Sequence, residues 1–83
     1  LSFYPSYSRF NIFDCLNSLR SSKLAEFPST NIHLDLRCDS KFYLWFNRSQ
    51  IERIISNCWN NSIEASPNGS ISIVTDVFLD GSN

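Results

Sequence analysis

The chain has 83 residues, 42% hydrophobic and 14% aromatic, with a net charge of −1 and a pI near 5.6. A globular chain of this length forms one small domain, burying only about 60–65% of the surface its unfolded form exposes. Its seven basic residues are scattered rather than pooled, which argues against a nucleic-acid partner or an acidic membrane surface.

The first ten residues, LSFYPSYSRF, read as a linker or an edge strand, with Pro5 breaking any helix. They lack the basic segment and apolar run of a secretory signal. No window approaches the ~18 apolar residues of a membrane span, so the expected location is the cytoplasm, without direct membrane contact. Asn11 is a good N-cap, and Asp14 stands at the reciprocating position of a capping box. Ile12, Phe13, Leu16, Leu19, Leu24 and Phe27 then mark an amphipathic helix over residues 12–26, stopped before Pro28.

In NIHLDLRC, Ile32, Leu34 and Leu36 alternate with His33, Asp35 and Arg37, the period-2 pattern of a half-buried strand. DSK makes a turn, and KFYLWF follows as a second strand, with Phe42, Leu44 and Phe46 on one face and Tyr43 and Trp45 on the other. Asn47 caps a second helix with Gln50 at the reciprocating position, and Ser66-Pro67-Asn68-Gly69 ends it near Ala65. SISIVTDVFLD is a third strand, with Ile71, Ile73 and Thr75 sharing a face. The order helix, strand, strand, helix, strand describes an α+β fold: a two-layer sandwich with helices packed on one face of a mixed sheet. The closing Asp80-Gly81 is a hairpin signal with no returning strand after it, so the sequence reads as a portion of a longer chain.

Cys15, Cys38 and Cys58 are odd in number and without CxxC spacing, and His33 is the only histidine. Neither a zinc site nor a disulfide framework is expected, and the thiols read as reduced and mostly packed. The sequons at Asn47, Asn60 and Asn68 read as chance in an Asn/Ser-rich sequence.

The second helix carries Asn57, Asn60 and Asn61, where Leu, Ala, Glu or Lys would serve a helix better. At about 100° per residue, with Asn57 at zero, Ile51, Ile54, Ile55, Cys58, Ser62 and Ala65 form a core stripe. Glu52, Ser56 and Asn60 fall on a solvated side. Gln50, Asn57, Asn61 and Glu64 make a separate row on the core's margin, with Asn57 and Asn61 at i, i+4. A carboxamide there can hydrogen-bond a neighbouring loop or face water. It can also give a neutral oxygen to Mg²⁺ without repelling phosphate.

The stretch IERIISNCWNNSIEASPNG resembles the N-box of sensor histidine kinases. Asn57 and Asn61 match its N-x-x-x-N pair, Ser62 stands where Ala is usual, Ile63 matches the apolar position and SPNG matches the turn. The upstream helix and strands fall in the family's order, with Asn47-Arg48 where Asp-Pro is common. The resemblance covers residues 10–80, so that 11–83 reads as the N-terminal part of the ATPase domain and 1–10 as what precedes it. It implies a Bergerat-type fold with ATP lying between helices and sheet. Asn61 would bind the Mg²⁺ that bridges the triphosphate, and Asn57 would lie near the phosphates in place of the carboxylate that related chaperone and gyrase ATPases use as a base. An amide cannot serve as that base, which suits phosphoryl transfer to a histidine rather than to water. Glu64 departs from the basic or aromatic residue common in the family.

The adenine-reading D-x-G-x-G box, the ATP lid and the second glycine box do not occur in the sequence. No phosphoacceptor histidine is expected either, since His33 reads as a surface strand residue. Alone, such a half-site is expected to be inactive, because the protein's part in phosphoryl transfer is positioning and charge stabilisation. The partners implied are ATP, the parent's dimerisation and phosphoacceptor domain, and a response regulator. An exposed sheet edge would also invite a homodimer or strand exchange. Two alternatives stand beside this reading. One is a non-catalytic interaction module using Tyr43, Trp45, Trp59 and Phe78, with packing against the first helix as the plain role of Trp59. The other is a related anti-sigma or switch kinase acting on Ser or Thr.

Overall fold

Asn11 ends one element and begins the next. Its backbone is extended and its side-chain oxygen accepts from the Asp14 amide at 2.9 Å, satisfying one of the N–H groups that a helix start leaves open. The same carboxamide donates to the Ser40 carbonyl at 2.7 Å, pinning the helix start to a distant turn. Among the described residues the return bond from the Asp14 carboxylate is not made, so the cap is one-armed. Asn47 repeats the device, accepting from the Gln50 amide at 3.0 Å, again with no return bond among the described residues.

The computed structural model describes residues 6–66 and 69–79. Its elements are β1 (Ser8–Asn11), α1 (Ile12–Glu26), β2 (Asn31–Arg37), β3 (Tyr43–Phe46), α2 (Arg48–Glu64) and β4 (Ser70–Asp76), a small α+β fold. Pro5, Pro67, Asn68, and the Asp80-Gly81 turn signal lie outside the described residues. At the end of α1 the Phe27 amide bonds the Lys23 carbonyl at 3.2 Å, and Pro28 cannot continue the ladder.

The expected single mixed sheet is instead two sheets of two strands. β1 pairs antiparallel with β3, Phe10 facing Leu44, and β2 pairs parallel with β4, Leu34 facing Ile73. Residues 8–11 form a strand that takes β3 as partner, while β2 pairs with the later β4. The DSK turn does form, with the Lys41 amide on Asp39 Oδ1 at 2.9 Å and the Phe42 amide on the Asp39 carbonyl at 3.1 Å. It redirects the chain between sheets rather than closing a hairpin.

Side-chain alternation follows the sequence pattern. Ile32, Leu34 and Leu36 of β2 lie on the same face as Ile71, Ile73 and Thr75 of β4, while Asn31, His33 and Arg37 pair outward with Ser70, Ser72 and Asp76. Leu44 and Phe46 turn inward from β3, and Tyr43 and Trp45 turn out. Buried Phe10, Ile12, Cys15 and Leu16 form the core, with Leu36, Phe42, Leu44, Phe46, Ile51, Ile55 and Val77 packed around them. Fully burying an aliphatic or aromatic side chain contributes about 1.5–3 kcal/mol, and the partly buried surround contributes less per residue. A second buried group is Leu34, Trp59 and Ile63. α1 departs from its expected stripe, since Lys23 is buried and Leu24 exposed.

Candidate functional site

The second half of α2 decides which way its asparagines face. Its large apolar residues are Trp59 and Ile63, both buried, and they lie about 200–240° from Asn57 on the helix wheel. The residues expected to carry the core stripe there, Cys58, Ser62 and Ala65, are small, and together with Ile54 they are exposed. Buried area follows the larger side chains, so the helix is rolled by about a quarter-turn from the expected orientation. Glu52, Ser56 and Asn60, expected on a solvated side, are half-buried.

Asn57 and Asn61 are therefore fully on the outer face rather than at the core's margin, in one exposed row with Gln50 and Glu64. Among the described residues neither side chain makes a hydrogen bond within the protein. Arg53 is also exposed, one turn before Asn57, and it joins none of the ion pairs found among the described residues. The row thus presents two carboxamides with a cation before them and the Glu64 carboxylate after. The described residues enclose no cavity.

Asn60 has a different task, one the sequence did not disclose. Lys23, only 4% exposed, reaches from the last turn of α1 to Ser56 Oγ at 2.8 Å and Asn60 Oδ1 at 2.8 Å, and back to Glu26 Oε2 at 3.0 Å. An ammonium has three N–H donors, and all three find acceptors. No buried side-chain nitrogen or oxygen among the described residues is left without a partner. The available signal was the i, i+4 spacing of Ser56 and Asn60 on a helix otherwise read as solvated there.

Trp59 is 3% exposed and donates its Nε1–H to Thr75 Oγ1 at 3.0 Å. It is tied to β4 and contributes nothing to an outer contact surface. Tyr43, Trp45 and Phe78 remain exposed, Trp45 at 67%, and the Arg9 guanidinium lies 4.3 Å from the Tyr43 ring centroid.

The three cysteines are free, with Cys15 buried, Cys38 partly buried and Cys58 exposed. Burial pushes the Cys15 thiol up, the neighbouring Arg48 guanidinium opposing it only in part. Burial and then the Asp39 carboxylate raise Cys38. His33 is exposed on β2. No cluster of three His, Cys, Asp or Glu side chains suited to a metal occurs among the described residues, and no described helix is long and apolar enough to cross a membrane. Set against family models and curated proteins, the chain matches none.

Proposed function

We propose that the Asn57–Asn61 row is the magnesium side of an ATP site, and that the chain supplies the N-box helix of a Bergerat-type ATPase domain in a sensor histidine kinase. One observation carries this reading. Two of the three asparagines are held outward at i, i+4 with their carboxamides unengaged, while the third is bound to Lys23. Asparagine disfavours a helix interior, and two of them on an open face bring α2 no stabilising contact among the described residues.

The donor set fits Mg-ATP. Magnesium takes oxygen ligands and is commonly held by one or two protein groups together with substrate phosphates. The Asn61 carboxamide oxygen would be one such ligand, and Asn57 would donate to the phosphates through its NH₂ group. Bound Mg²⁺ would supply charge neutralisation at the triphosphate. Both side chains are neutral, so neither repels phosphate and neither can take a proton from water. Arg53, one turn earlier, adds positive charge beside the row. The acceptor would be a histidine of the parent's dimerisation and phosphoacceptor domain, not His33, the one histidine of this sequence.

Thermal unfolding of the chain in millimolar Mg-ATP, beside an Asn61→Ala variant, tests the reading. A ligand at ten times its Kd stabilises the folded state by about 1.4 kcal/mol. The expected result is a rise in Tm that needs both Mg²⁺ and Asn61. No rise, or an equal rise in the variant, overturns it. A second reading, a non-catalytic contact module, draws on the exposed Tyr43, Trp45 and Phe78, since aromatic residues are enriched at interfaces. It expects binding that Trp45→Ser abolishes and Asn61→Ala leaves intact.

A further inference from the structure

The β1·β3 ribbon has two faces of opposite character. Phe10, Leu44 and Phe46 turn into the core, so the alternation of a pleated strand leaves Arg9, Asn11, Tyr43 and Trp45 on the outer face. Arg9 lies directly opposite Trp45 and diagonally from Tyr43. Its guanidinium leans along the diagonal, 4.3 Å from the Tyr43 ring centroid, and Trp45 stands 67% exposed. The chain's other tryptophan, Trp59, is buried with its indole N–H bonded to Thr75. Among the described residues the Trp45 indole has no such acceptor.

The charge on this face is one-sided. None of its outward strand positions carries a carboxylate, and Arg9 joins no ion pair among the described residues. The Asn11 carboxamide is already engaged by the Asp14 amide and the Ser40 carbonyl, so Arg9 and the Trp45 indole supply the available donors. A guanidinium matches a carboxylate through two parallel N–H···O bonds. One already ordered against a ring loses less freedom when it does so. Trp, Tyr and Arg are also the residue types that dominate binding energy between proteins.

We propose that the outer face of the β1·β3 ribbon is a docking site for an extended acidic peptide of a partner protein. Trp45 takes a proline ring or an apolar side chain, and Arg9, held over Tyr43, takes the neighbouring carboxylate. Other occupants fit less well. Nucleic acid needs pooled cations, and this face has one, in a chain of net charge −1. A second copy would bring two Arg9 cations to one interface. It would also need about 800 Å² per partner, more than one face of two four-residue strands presents. The site lies on other elements than the Asn57–Asn61 row. It rests on the contact reading given above as the second, and names that partner's chemistry.

The test selects short random peptides, displayed on phage, against the 83-residue chain after depletion on the Trp45→Ser chain. Trp45 and Arg9 are both exposed, so their substitutions should leave the fold intact, which circular dichroism checks. The expected winners carry Asp or Glu next to Pro, Leu or an aromatic residue. A winner is then labelled with a fluorophore and measured at low salt beside a version with its carboxylates changed to carboxamides. Trp45→Ser should weaken binding roughly thirtyfold and Arg9→Gln about tenfold. Against the carboxamide version Arg9→Gln should have no further effect, and high salt should erase most of the Arg9 contribution. If no peptide survives depletion, this inference and the contact reading fall together. Winners that need Trp45 but lack carboxylates, or that Arg9→Gln leaves unaffected, overturn the acidic partner and leave the contact reading standing. Tighter Trp45-dependent binding of a labelled oligouridylate, or a sedimenting dimer that Trp45→Ser dissociates, overturns it in favour of those occupants.

Discussion

Replacing Thr75 by Val keeps the shape of the inner face of β4 and removes the oxygen that receives the buried indole of Trp59. The bond is 3.0 Å long and the ring 3% exposed, so water cannot readily take the hydroxyl's place. A buried donor stripped of its partner costs about 1–3 kcal/mol. Valine's better fit to a pleated, half-buried surface offsets a few tenths of that, on a scale spanning ~1 kcal/mol. A net loss of about 1–2 kcal/mol is expected, which lowers the Tm of so small a domain by about 4–16 °C. Urea unfolding followed by circular dichroism measures it, with m unchanged if only stability has moved. Trp59→Phe removes the donor, so in that background Thr75→Val should cost almost nothing, giving a coupling energy of about 1–2 kcal/mol. Additive effects, or a Thr75→Val chain as stable as its parent, would refute the claim that this bond anchors α2 to the sheet.

The two helix caps differ in a testable way. Asn47→Ala should cost about 1 kcal/mol in urea unfolding, and Asn11→Ala more, toward about 2 kcal/mol, because Asn11 also loses its bond to the Ser40 carbonyl. Gly69 has φ +64°, and a Cβ added there would meet nothing within 4 Å among the described residues. Gly69→Ala should therefore cost only the left-handed backbone penalty, about 1–2 kcal/mol in the same assay. A larger loss would mean a steric clash that this geometry excludes. Native thiol labelling with a disulfide reagent should run fastest at Cys58 and slowest at buried Cys15. The raised Cys15 and Cys38 thiols keep their protons when the unfolded chain begins to lose them near pH about 8.5. Their contribution to stability is thus complete below that pH and declines as pH rises through their native values, a decline that Cys15→Ala should reduce.

Local chemistry was legible in the sequence, and the choice among partners was not. Asn11 and Asn47 announce the two helix starts because a cap depends only on residues within one turn. The alternations in β2 and β4 announce their buried faces for the same reason. Strand pairing depends on which segments meet, and nothing in Ser8–Asn11 alone says that it will claim β3. The roll of α2 departs from the expected one because three isoleucines at its start outweigh, by count, the two residues that dominate its second half by size. Trp59 and Ile63 reset the stripe, and Lys23 confirms that setting from across the helix pair. The asparagine pair was visible as a motif. Its outward aspect and the separate employment of Asn60 could emerge only once both helices were in place.

The pairing of β2 with β4 also constrains the order in which the molecule can assemble. Asn31 faces Ser70 and Arg37 faces Asp76, so everything from Cys38 to Gly69 lies inside one crossover. Contacts closed across so long a loop form slowly, after local ones. On a ribosome, α1, β2, β3 and α2 would emerge before the strand that pairs with β2 and receives the Trp59 indole. Until β4 arrives, β2 keeps an unpaired edge and the Trp59 indole lacks its Thr75 acceptor, the kind of intermediate on which strand exchange and aggregation begin.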